Sequence, residues 1–173
     1  DVSTSCTGIA VVDTEIEFDG SGSQIVDLGA VDLRDCASLW ERADRMKNVL
    51  DSLKRDMNIT RVVIEEPLMG FRQGMSSAMT ITTLMRFNGI VSYISRNTFG
   101  CEPEYIGSAR ARKLCGIKMQ KTSIAGPQKE QVFLYMSQHD LSRVSWPLKK
   151  SGLIVDWSRD ATDAYVIARA ATV

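Results

Sequence analysis

Between residues 37 and 66 the chain changes its hydrophobic period, and that change limits the fold more than any other stretch. Leu39, Ala43, Met46, Leu50, Leu53 and Met57 recur at helical spacing with charges on the other side, which predicts an amphipathic helix from about Ala37 to Met57. Arg61-Val-Val-Ile64 follows, short, β-branched and bounded by polar residues, and runs directly into Glu65-Glu66-Pro67. Such a run predicts a strand buried on both faces. A helix feeding a buried strand is half of an α/β unit.

The flanking segments extend this frame. Asp1 reads as the end of a strand, Val2 to Cys6 as a tight turn, and Gly8-Ile-Ala-Val-Val12 as the next strand, with residues before Asp1 expected to complete the first. A Gly/Asp/Ser turn around Phe18 to Gly22 leads to a third strand over Gln24 to Leu33, for which an antiparallel meander is the economical arrangement. Arg61–Ile64 is then a fourth strand and Pro103–Ile106 a fifth. After a glycine-punctuated loop from Met69 to Met75, a helix is expected from Ser76 or Ser77 to about Arg96. Shorter helices are expected over Ser108–Cys115 and Pro127–His139, then a loop or insertion over Ser142–Ser158 and a last helix over Asp160–Ala170. The expected fold class is α/β, one mixed five-stranded sheet flanked by helices, three antiparallel strands and then parallel ones. The 173 residues suit a single domain, 1–173.

Several classes are disfavoured. No apolar run approaches about 18 residues, so no membrane span is expected. Cys6, Cys36, Cys101 and Cys115 are scattered without a C-x-x-C pair, which argues against zinc and for reduced thiols in an intracellular compartment. The single histidine, His139, falls at a helix end, where a surface or capping role is expected. Formal net charge is zero, but six basic residues and no acidic one lie between Tyr105 and Lys129. A block of this kind solvates a helix or meets a phosphate backbone.

The chemistry concentrates in carboxylates. Asp160 and Asp163 stand one turn apart at the start of the last helix, where two like charges repel unless a cation or a functional demand offsets them. Capping by Asp160, with Asp163 favouring the positive helix end, is the competing explanation. Asp1 and Glu65 each end an expected strand; if those strands are neighbours, their ends lie about 5 Å apart. Four carboxylates in one place suit oxygen-ligated Mg²⁺ or Mn²⁺, and two such ions suit phosphodiester hydrolysis.

Asp1-x6-Gly8-Ile-Ala-Val, Val63-Ile-Glu65-Glu66, Lys129-Glu-Gln131-Val132 and Asp160-x-x-Asp163-Ala164 resemble, in that order, the motifs of the RuvC family of Holliday-junction resolvases in the RNase H-like superfamily. The resemblance implies an RNase H-like fold and a Mg²⁺- or Mn²⁺-dependent endodeoxyribonuclease, with two ions per site held by Asp1, Glu65, Asp160 and Asp163. It implies that Lys129 is the catalytic lysine near the scissile phosphate. It also implies a homodimer that resolves four-way DNA junctions in recombination and repair. Phe71, with Arg72 beside it, is assigned to opening the junction by base stacking, and Arg110, Arg112, Lys113, Lys118 and Lys121 to DNA binding. The Asp1-Val-Ser3 start in place of Asp-Pro-Gly, and an insertion before Asp160 longer than in bacterial enzymes, point to a phage or organellar branch. The corresponding location is expected to be the cytoplasm or nucleoid of a bacterial or phage-infected cell, or an organelle after loss of a leader.

Three other readings use the same residues. An RNase H acting on RNA–DNA hybrids keeps the fold and changes the substrate, and a non-cleaving nucleic-acid-binding relative keeps only the scaffold. Retention of four carboxylates disfavours the latter, because clustered charge without a metal only costs stability. A sugar-kinase-like ATPase would need two such domains.

Overall fold

The computed structural model describes residues 1–16, 24–67 and 78–173. The elements run β1 (Cys6–Val12), β2 (Ile25–Asp32), α1 (Leu39–Asp56), β3 (Val63–Glu65), α2 (Ala78–Phe99), β4 (Glu104–Ile106), α3 (Ser108–Leu114), α4 (Thr122–Ala125), α5 (Gln128–Gln138) and α6 (Trp157–Ala170). The mixed α/β class expected from the periodicity is therefore present.

The sheet differs from expectation. Among the described residues there are two two-stranded sheets, β1–β2 and β3–β4, instead of one sheet of five strands. Asp1 lies outside every strand. Asp13 N donates to Gln24 O at 2.8 Å and Leu33 N to Ser5 O at 2.9 Å, so the ends of β1 and β2 meet in antiparallel order. β3 and β4 are parallel, with Val63 opposite Glu104 and Glu65 opposite Ile106. With only three residues each, these two strands offer little edge on which to extend a sheet.

The chain divides into two compact units, one of Asp1, Gly8–Ala30 and Ala109–Val173, the other of Val2–Thr7 and Val31–Ser108. In the second unit α1 packs against α2. Ser38 caps α1 by accepting from Glu41 N at 3.1 Å, while the Glu41 carboxylate accepts from Ala37 N at 2.8 Å. Ala43, Met46 and Leu50 form the buried face of α1, and Phe87 and Val91 are buried on α2. Arg61 forks onto Glu104 at 2.6 and 2.8 Å beside the β3–β4 pair.

In the first unit α5 packs against α6. Val132, Phe133 and Met136 of α5 are buried, as are Ala161, Ala164, Tyr165 and Ile167 of α6. The last helix starts three residues earlier than the sequence suggested. Asp156 holds the cap position without a side-chain capping bond, and Asp160 lies inside the first turn, so Asp160 is not the cap. The early start follows from burial: Ser158 is fully buried and its hydroxyl donates to Val155 O at 2.7 Å. The segment before it is partly ordered, with Leu148 bridging Ile154 in antiparallel sense and Lys149 paired with Asp156 at 2.6 Å. The short helix α4 was not foreseen in the sequence. None of the four cysteines is in a disulfide, and Cys36 and Cys115 are buried.

Candidate active site

Lys129 is the second residue of α5, in the first turn, where the helix dipole disfavours a cation. Three carboxylates compensate. Its Nζ lies 2.5 Å from Asp160 Oδ1, 3.5 Å from Asp163 Oδ2 and 3.6 Å from Asp1 Oδ2. The carboxylate side chains of Asp1, Asp160 and Asp163 are 12%, 17% and 16% exposed, whereas the lysine side chain is 52% exposed. Three largely buried carboxylates thus share one ammonium, carried on a half-exposed side chain. Desolvation works against the ammonium, but the hydrogen bond to Asp160 and the charges of Asp163 and Asp160 outweigh it, so the Lys129 pKa lies above its ordinary 10.5.

Gly8 brings two of these acids together. Gly8 N donates to Asp1 O at 3.0 Å, and the Asp1 nitrogen donates back to Gly8 O at 3.3 Å. On its other side Gly8 abuts α6: a Cβ at this position would lie 2.0 Å from Asp160 O and 3.1 Å from Ala164 Cβ. Only a residue without a side chain lets β1 approach the first turn of α6 this closely. Gly8 stood in the sequence motif, but its role as the contact between Asp1 and Asp160 needed the partner helix to be visible.

The donor set suits a hard divalent cation, being oxygen only and already gathered around one cationic group. The three acids are not drawn together as a preformed cage: among the described residues no three His, Cys, Asp or Glu side chains form a group arranged to hold a metal ion. Lys129 occupies the centre instead. The residues fit a cation that takes over part of the ammonium's place.

The other expected site residues fall as follows. Glu65 is the last residue of β3 and belongs to the second unit, whereas Asp1, Asp160 and Asp163 belong to the first; its carbonyl accepts from Asn88 Nδ2 at 3.2 Å. Phe71 and Arg72 lie outside the described residues. Arg110, Lys113, Lys118 and Lys121 are exposed, while Arg112 is half-buried and donates to Gln128 Oε1 at 3.2 Å. The segment bearing Lys118 and Lys121 is tied to α5 by Gln131, whose amide accepts from Gln120 N at 2.8 Å and donates to Gly126 O at 2.8 Å. His139 sits at the end of α5, stacked on Tyr135 with ring centroids 4.1 Å apart, as expected of a helix-end residue. Two residues that the sequence did not single out, Glu130 and Arg159, join α5 to α6 by a forked ion pair with contacts of 3.0 and 3.2 Å.

No family model matches this sequence, and no curated protein matches it. Solved structures do. A Thermus thermophilus RuvC structure aligns with 98% of this chain and 93% of its own, with a TM-score of 0.55 and 20% sequence identity. The two chains share a fold.

Proposed function

We propose that this chain is a metal-dependent, structure-selective endonuclease that resolves four-way DNA junctions by paired phosphodiester hydrolysis, working as a homodimer. The observation that carries this reading is the convergence of Asp1, Asp160 and Asp163 on Lys129 in one unit. Its support is the fold shared with a RuvC structure along nearly the whole chain. The phage or organellar branch belongs to the same proposal, as does an intracellular, reducing location.

In this reading Asp1, Asp160 and Asp163 would hold Mg²⁺ or Mn²⁺, which when bound supplies Lewis-acid polarisation of the phosphodiester and a more acidic water. Lys129, with its side chain half exposed, would offer its ammonium to a phosphate oxygen and offset negative charge that builds up during hydrolysis. A lysine is charged at neutral pH, as that role requires. Arg110, Lys113, Lys118 and Lys121 hold the phosphate backbone, and Phe71 with Arg72 opens the junction. Glu65 is proposed as a further residue required for cleavage.

The test incubates the protein with Mg²⁺ and synthetic four-way junctions, linear duplexes or RNA–DNA hybrids. Paired nicks near the junction centre are expected. Asp163→Asn should lower the rate at least about 100-fold while junction binding in EDTA persists, and Glu65→Gln should behave alike. Cleavage of the hybrid with none of the junction would replace this reading by an RNase H. Binding without any cleavage would leave a non-cleaving relative.

A further inference from the structure

Lys129 and Glu130 are neighbours on α5, and Arg159 and Asp160 are neighbours on α6. They pair crosswise, Lys129 with Asp160 and Glu130 with Arg159. The two pairs differ in rigidity. Lysine is a point charge on a flexible stem, and one such contact tolerates considerable sliding and rotation of the helices. Arg159 is locked from several directions. Its Nε and Nη2 fork onto the two Glu130 oxygens at 3.0 and 3.2 Å, and its Nη1 donates to Val155 O at 3.3 Å and Ser158 Oγ at 3.1 Å. Its guanidinium carbon also lies 4.5 Å from the centroid of the buried Phe133 ring. Trp146, from the segment before α6, packs on that same ring at 5.5 Å and on Trp157 at 6.2 Å.

We infer that Arg159 is a positioning residue which, through its fork on Glu130, fixes the register of α5 against α6 and so delivers the Lys129 ammonium to Asp160. The aromatic group of Phe133, Trp146 and Trp157 backs the guanidinium, so the segment between α5 and α6 braces the clamp. This deepens the proposed function and rests on it for the catalytic consequence. The geometric relation between Lys129 and Asp160 stands apart from it.

The experiment is a double-mutant cycle of Lys129→Met and Asp160→Asn, read in EDTA as urea-denaturation midpoints. It is run in the native background and again with Arg159→Met, which keeps a long unbranched side chain and removes the fork. In the native background the two substitutions should be non-additive, and with Arg159→Met they should become additive. Coupling that persists unchanged would overturn the inference and leave Arg159 as an ordinary stabilising pair. If Arg159→Met does not fold, Glu130→Gln and Arg159→Lys remove the fork more gently and face the same criterion. The exchanged pair, Arg159→Glu with Glu130→Arg, should restore part of the coupling. For junction cleavage, Arg159→Met should lower kcat about tenfold or more while junction Kd in EDTA stays within about twofold; a change in Kd alone would count against it. Should the native protein cleave no junction, the nuclease reading fails, and the coupling in EDTA still decides whether Arg159 positions Lys129.

Discussion

A side chain at position 8 would collide with backbone: the nearest atom to its Cβ is Asp160 O at 2.0 Å, and carbonyl oxygen in a helix cannot step aside as a flexible side chain can. Gly8→Ala should therefore push β1 away from α6 and destabilise the protein by about 3 kcal/mol, at the upper end of ordinary overpacking. Because Gly8 also bonds to Asp1, the same variant should lose cleavage more completely than its fraction folded explains. Thermal denaturation measured beside the nicking rate separates the two, and a fully stable Gly8→Ala would contradict the packing. At this scale the acids were legible from their order and spacing, since Asp160 and Asp163 must share a helical surface whatever surrounds them. The close approach that Gly8 permits was not, because a glycine in a strand does not name the element that needs the space. Nor was the Glu130–Arg159 pair, whose members are 29 residues apart in sequence.

Among the elements, α6 is buried along most of its length. Tyr165, Val166, Ile167 and Ala164 are all buried, and so is Thr162. The Tyr165 hydroxyl accepts from Gln24 Nε2 at 2.5 Å and donates to Asp140 Oδ2 at 3.4 Å, and Cys115 Sγ donates to Val166 O at 3.5 Å. Burial, with the Asp140 charge adding to it, pushes the Tyr165 hydroxyl well above its ordinary pKa of 10.0, and burial likewise pushes the Cys115 thiol above 9.0. Both groups have folded pKa values above their unfolded ones. The stability they contribute is complete below about pH 9 and is lost as pH rises through the folded values, because the unfolded chain then releases protons that the folded chain retains. The denaturation midpoint should hold to about pH 9 and fall beyond it. Cys115→Ala should delay the start of that fall toward the ordinary tyrosine value, and a midpoint independent of pH up to about 11 would contradict the burial of both groups. The sequence showed this helix through its apolar spacing but set its start at Asp160, because a cap signal and a first-turn acid look alike without knowledge that Ser158 is buried.

For the whole molecule, 21 basic residues balance 21 acidic ones, so any attraction to DNA must come from local arrangement rather than from overall charge. The block from Tyr105 to Lys129 was legible because it is contiguous, and the fold sorts its members. Lys129 is committed to three aspartates and Arg112 leans on Gln128, which leaves Arg110, Lys113, Lys118 and Lys121 exposed for phosphate. If each of these four neutralises one phosphate in both protomers of the proposed homodimer, the logarithm of the junction association constant should fall with the logarithm of salt at a slope of about −7. Lys118 and Lys121 flank Gln120, which Gln131 ties to the helix that carries Lys129, so phosphates bound by these lysines would be held in register with that helix. Replacing both by Gln, which removes four contacts from the dimer, should reduce the slope by about 4. The denaturation midpoint should hardly change, since exposed lysines contribute little to stability. Junction binding titrated in EDTA from low to moderate salt provides the measurement, and an unchanged slope would assign the phosphate contacts to other residues.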